Sequence, residues 1–341
     1  MRKHLPGGFD LNHHQPPSPS PSPRPERKRA FAPAGPQCNN SGVLLLSYGR
    51  SATDSFAHTI RASSNLKYCN DLKEAFKRQS YRGTPQNLRE CIAQNPRGTL
   101  VHVKPEHIMK VQFNGRCFAG DGCDLPSSPD AFFEAARRAG FRLVLTTFRD
   151  NQLARQLSSY EQSASMEKHG RPPTLSRRQR RLAPSNSSYF AKFFPEDLIG
   201  FFEFRVDIFN RNVEAADAAG MKRLYIPFQT VTRDLCASTN LSVEAFNQLY
   251  AEQTAGTHCT KSRIDCKIKL GHMNKSHRDA SLSERLGSEE VAERIVQALK
   301  GTDYEWMLNT SLSSWPPGTP RRKTPIQTSS ADFEHLRAAP T

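Results

Sequence analysis

The chain has 341 residues, 48 of them Lys or Arg and 33 Asp or Glu, for a formal charge of +15. That length supports one large domain or two small ones and excludes a mini-protein that depends on disulfides. No apolar run approaches the ~18 residues of a membrane span, the Met1 segment lacks the apolar stretch of a secretory signal, and the basic excess points to an anionic partner.

Residues 1–42 hold nine of the 24 prolines, with a Pro/Ser tract from Pro16 to Pro23. Such a segment cannot bury a core and is expected to be disordered or extended. Residues 316–341 hold five more prolines and are expected to behave alike. A folded domain is therefore expected over residues 43–315.

Within it, residues 43–48 read as a short buried strand. Helical patterns follow at 55–61 and 70–80, and a second strand at 100–103. Residues 129–139 fit a helix that Gly140 ends. Residues 141–147 are a third strand, followed by a helix at 151–160. A basic loop spans about 161–187; its stretch 168–184 carries six basic residues and no acid. It reads as a solvated loop or as an arm for an acidic acceptor. Residues 195–219 form a long amphipathic helix, with Pro195 at its start and Gly220 past its end. A strand at 223–227 and helices at 242–251 and 288–299 complete the pattern. Alternating strands and helices imply an α/β fold with a central parallel sheet flanked by helices on both faces. Ligands of such sheets bind at the carboxyl ends of the strands.

The first strand–loop–helix junction runs through Gly49, Arg50, Ser51, Ala52, Thr53, Asp54 and Ser55. Small and hydroxyl residues entering a helix present N–H groups to an anion, and Arg50 can grip a phosphate with two hydrogen bonds. The loop lacks the G-x-x-x-x-G-K-[ST] pattern of a nucleotide triphosphatase and the G-x-G-x-x-G of a dinucleotide fold.

Gly49-Arg50-Ser51-Ala52-Thr53 after an apolar strand resembles the R-S-G-[ST] loop of sulfotransferases. That loop binds the 5′-phosphosulfate of 3′-phosphoadenosine 5′-phosphosulfate (PAPS). A second segment, Leu143 to Ser158, resembles the family's strand–Arg–helix–Ser unit, which binds the 3′-phosphate. A third, Leu299-Lys300-Gly301-Thr302-Asp303-Tyr304-Glu305-Trp306-Met307-Leu308, is similar to a closing segment of bacterial and algal carbohydrate-type members. The resemblance spans roughly residues 43–308. It departs from the family at Ala52, where a Gly is usual, and at Asp54, where a hydroxyl or apolar residue is. Arg149 also lies nine residues before Ser158, where the family interval is eight.

The resemblance implies a P-loop-like three-layer sandwich and a PAPS-dependent transfer of a sulfuryl group to a carbohydrate hydroxyl. In that scheme Arg50, Ser51, Ala52, Thr53 and Ser55 hold the 5′-phosphosulfate. Arg149 and Ser158 hold the 3′-phosphate, with Ser159 the alternative to Ser158. Lys275, in a late basic loop, closes over the nucleotide. Arg50 and Lys104 offset charge on the leaving and bridging oxygens. Glu74 is the first candidate for general base and His107 the second. His102 and His258 are given no role, Trp306 and Met307 are expected in the core, and no metal is required.

The eight cysteines contain no C-x-x-C, which argues against structural zinc. Cys117/Cys123 and Cys259/Cys266 have spacings that short disulfide loops allow. With five N-x-[ST] sequons, at Asn39, Asn186, Asn240, Asn274 and Asn309, these lean towards a glycoprotein of the Golgi lumen rather than the cytoplasm. A carbohydrate acceptor, acidic or neutral, is the expected partner, without a membrane span. The rival readings are a non-catalytic binder of a phosphonucleotide or acidic glycan, and a nucleic-acid-binding protein. The last is weakened because the charge is not interleaved with aromatics.

Overall fold

The structure is a computed structural model that describes residues 42–48, 52–64, 66–68, 99–108, 112–113, 116–117, 128–138, 140–169, 187–250, 280–312 and 314–337. The expected N-terminal tail, most of the basic loop and the helix at 70–80 lie outside the described residues.

Gly42–Leu46 form β1, and every residue of it is buried. An apolar run without alternation fits a strand that is covered on both faces. The next elements are α1 (Thr53–Ser63), the two-residue β2 (Lys67–Tyr68) and β3 (Thr99–Val103). A small antiparallel pair follows, β4 (Gln112–Phe113) and β5 (Arg116–Cys117), then α2 (Pro129–Arg138), β6 (Phe141–Thr146) and α3 (Gln152–His169). The remainder is α4 (Ser187–Phe193), α5 (Leu198–Ala218), β7 (Lys222–Tyr225), α6 (Phe228–Arg233), α7 (Leu235–Tyr250), α8 (Leu282–Leu286), α9 (Glu289–Leu299) and α10 (Glu334–Arg337).

The main sheet runs in the order β2-β3-β1-β6-β7, and all its pairs are parallel. Four strands are full and the fifth, β2, is a short edge. This matches the α/β expectation. The period-2 alternation of strands then sorts the core into two layers. Leu44, Leu46, Val101, Val103 and Val144 meet Phe132 and Phe133 of α2 and Val206, Phe209 and Val213 of α5. Val43, Leu45, Leu100, Leu143 and Leu145 meet Phe56 and Ile60 of α1 and Phe246 and Tyr250 of α7. A third cluster joins α3, α4 and α9 through Leu157, Tyr160, Phe190, Ile295 and Leu299.

Helix ends follow local chemistry. Gly140 (φ 101°) and Gly220 (φ 72°) take the left-handed conformation after α2 and α5, as their positions predict. The long helix starts at Leu198 rather than Pro195, because the Asp197 side chain accepts the Gly200 N–H and sets the first turn there. Ser288 caps α9 in the same way through the Val291 N–H.

The C-terminal segment departs from expectation. Residues 314–337 lie along the domain instead of leaving it. Trp315, Phe333 and Leu336 are buried. The backbone N–H of Ser330 donates to Arg223 O, while Ser329 and Ser330 hydroxyls accept the N–H groups of Tyr225 and Arg223. A proline-rich strap cannot build a core of its own. Here it borrows one, and it satisfies the open edge of β7 with hydroxyls and main chain.

Candidate functional site

The chain enters the sheet at central β1, reaches β3 on one side and crosses to β6 on the other. In open α/β sheets such a reversal is where ligands bind, here the carboxyl ends of β1, β3 and β6. Each strand's exit residues fall on one face or the other, so two polar groups of side chains flank the edge.

On the α1 face, Ser47 Oγ lies 2.8 Å from Thr53 Oγ1 and 3.1 Å from His102 Nε2. Thr53 Oγ1 also donates to Tyr48 O at 3.4 Å. His102, which the sequence reading left without a role, thus ties the ends of β1 and β3 to the start of α1. The Thr53 hydroxyl is buried and bonded back to the strand end. Ala52, which precedes α1, has φ 57° and ψ 14°. It is the one non-glycine residue with positive φ among the described residues, at the position where the resembled family has Gly. An Ala there is strained by about 1 kcal/mol or more. Ser55 is half-buried on α1, and its carbonyl accepts the Thr59 hydroxyl.

On the α5 face, cations gather around Tyr48. The Arg205 guanidinium lies 4.4 Å and that of Arg155 5.0 Å from the Tyr48 ring centroid. Tyr48 donates its hydroxyl to Arg205 O at 2.6 Å. Arg205 reaches Glu106 at 3.5 Å. Arg155 is 3 % exposed, and its Nε and terminal nitrogen donate to Gln152 Oε1 and Gln156 Oε1 at 3.2 and 2.6 Å. Burial, then Arg205 and Arg149, push the Arg155 pKa down. Burial likewise holds the Tyr48 phenol well above its ordinary value. Arg149, half-buried after β6, stacks over the Phe228 ring at 5.0 Å. Arg205 Nε and Thr147 Oγ1 are buried at this edge with no hydrogen-bond partner among the described residues. A buried polar group so placed calls for a partner, which a water or a bound group can supply.

The expected residues therefore divide. Ala52 precedes α1, Thr53 and Ser55 lie on it, Lys104 stands at the exit of β3, Arg149 follows β6, and Ser158 is half-buried on α3. Arg50, Ser51, Glu74 and Lys275 lie outside the described residues, as do the side chains of His107 and Asp54. Asp150, the residue eight before Ser158, is buried and its carboxylate accepts from Trp315 N and Gln327 Nε2. It faces the C-terminal strap.

Arg155, Arg205, Glu106 and Tyr48 were missed. Arg155 interrupts the apolar face that Leu153, Leu157 and Tyr160 set on α3, and Arg205 stands between Phe201 and Phe209 on the buried face of α5. A cation on an apolar helical face was the available signal.

The third motif forms the end of α9 and a short 3₁₀ turn, Glu305–Leu308. Met307 is buried and Trp306 lies against Trp315 at 5.1 Å between ring centroids. Among the described residues no cluster of His, Cys, Asp and Glu could hold a metal ion, and no helix is long and apolar enough to cross a membrane. Cys236, at the start of α7 and outside the two short-spaced pairs, is disulfide-bonded. No family model matches the chain, and no curated protein matches it significantly.

Proposed function

We propose that the protein is a PAPS-dependent sulfotransferase acting on a carbohydrate hydroxyl, with the P-loop-like form of the α/β fold. The observation that carries this reading is the concentration of Arg149, Arg155 and Arg205 at one carboxyl edge, together with buried donors that lack acceptors. A nucleotide with phosphates at two ends would supply what that edge lacks. The left-handed turn at Ala52 also supports it, since successive N–H groups around such a turn form an anion-binding hollow.

In the proposed reaction the acceptor oxygen attacks sulfur in line. The bond from sulfur to the 5′-phosphate oxygen breaks, and 3′,5′-bisphosphoadenosine leaves. The acceptor proton passes to a carboxylate or imidazole, Glu74 first and His107 second. Arg50 and Lys104 offset the charge growing on the leaving and bridging oxygens. Arg149 and Ser158 hold the 3′-phosphate and set the register of the nucleotide.

The inward Thr53 hydroxyl favours a second reading, a binder that holds phosphonucleotide or acidic glycan without turnover. Radiolabelled PAPS incubated with a panel of glycans separates the two. Transfer to a glycan supports the enzyme; nucleotide binding without transfer supports the binder; no nucleotide binding removes the first reading. Arg149→Ala should abolish nucleotide binding, while Glu74→Ala should spare binding and lower turnover about 100-fold.

A further inference from the structure

We infer that Asp150 is a positioning residue, the anchor through which the C-terminal strap fixes the segment that carries Arg149. The inference rests on the proposed function for what Arg149 binds, though not for how Arg149 is held.

Asp150 directly follows Arg149. Its Oδ2 accepts the Trp315 N–H at 3.3 Å and its Oδ1 accepts Gln327 Nε2 at 3.1 Å. Those donors stand at two separate points of the strap, 165 and 177 residues along the chain. The next two residues continue the anchorage. Asn151 Nδ2 donates to the carbonyls of Met307, Asn309 and Leu312 at 3.3, 3.1 and 3.0 Å. Its Oδ1 accepts the Ala154 N–H at 2.8 Å and so caps α3. Gln152 Nε2 donates to Arg149 O, and Gln152 Oε1 accepts from Arg155 Nε. The strap then runs on to β7, whose following helix supplies Phe228 beneath the Arg149 guanidinium. Both sides of Arg149 are thus tied to one segment of chain.

The residue type matters. A carboxylate offers two acceptor oxygens and can take both N–H donors at once. An amide of the same shape accepts with one oxygen and presents N–H groups to the other donor. A buried carboxylate is costly unless its hydrogen bonds are made, and Arg321 of the strap is the charge that offsets it. Asp150 therefore serves both points of the strap through the two oxygens of one carboxyl group.

The test uses the full chain with Asp150→Asn, Asp150→Ala and Gln327→Ala, and Lys323→Ala as a control on the strap. Two measurements are made: hydrogen exchange at the Thr147, Ala154 and Arg155 amides, and calorimetric affinity for 3′,5′-bisphosphoadenosine. The expected result is exchange at those amides at least tenfold faster in Asp150→Asn and Gln327→Ala, with the amides of β1 and β3 unchanged. Affinity should fall about tenfold and KM for PAPS rise alike, with kcat within twofold. Lys323→Ala should leave both unchanged. If Asp150→Ala does not fold, Gln327→Ala still reads the anchorage. Unchanged exchange at the three amides, or a uniform rise over the whole sheet, overturns the inference. If the wild-type protein does not bind the nucleotide, the proposed function fails, and the exchange measurement still decides the role of Asp150.

Discussion

Ala52 and Asp150 each show a side chain whose meaning depends on its surroundings. Ala52 bears left-handed backbone that a glycine adopts at no steric cost. Ala52→Gly should therefore raise unfolding stability by about 0.5–1 kcal/mol, after the extra freedom of glycine in the unfolded chain is set against the relieved strain. Chemical denaturation would check this, and a lowered midpoint would show that the turn is not strained. Asp150 gives a pH signature. Burial raises its pKa above 3.8, against the opposing pull of its hydrogen bonds and Arg321. Between the unfolded and folded values the native state holds more protons, so stability falls as pH rises through that window. The wild type should gain stability relative to Asp150→Asn as pH is lowered through the folded pKa, fully below about 4. Thermal unfolding of both from pH 7 to pH 3.5 measures the difference. A constant gap would contradict the assignment. Only its partners, far along the chain, show that this carboxylate turns to the C-terminal strap.

The elements were largely readable because each carries its own punctuation. Apolar runs without alternation marked β1 and β6, and Gly140 and Gly220 marked where α2 and α5 end. Boundaries moved where a side chain intervened, as at Asp197, or where a pattern was longer than its apolar face suggested, as in α3 and α7. The strap was not readable, because its stability comes from partners over 100 residues away, such as Arg223 and Asp150. Its fixed anchors should be energetically ordinary core residues. Phe333, 1 % exposed among Leu224, Phe246 and Leu336, should cost about 3–5 kcal/mol on substitution by Ala. A loss under about 1 kcal/mol in urea titration would mean that the strap is only lightly attached.

Across the whole molecule the charge of +15 is unevenly placed. Residues 1–42 carry six basic and two acidic side chains, and residues 168–184 carry six basic and none acidic. At the carboxyl edge of the sheet Arg155 and Arg205 are buried, where salt screens a charge far less than at an exposed surface. Replacing Arg177, Arg178, Arg180 and Arg181 by Gln should weaken binding to an acidic polysaccharide at low salt and flatten its salt dependence. The affinity for 3′,5′-bisphosphoadenosine should stay within twofold. An equal loss of nucleotide affinity would place the loop at the nucleotide. By itself the sequence determined the α/β class, the strand that opens the sheet, and Arg149 as a cation after β6, since periodicity and residue type are local properties. Only the tertiary structure decided that Arg155 and Arg205 share Tyr48, that Thr53 turns inward, and that a proline-rich end becomes part of the fold. Those outcomes depend on which distant groups meet in a buried space, where desolvation makes every donor require an acceptor.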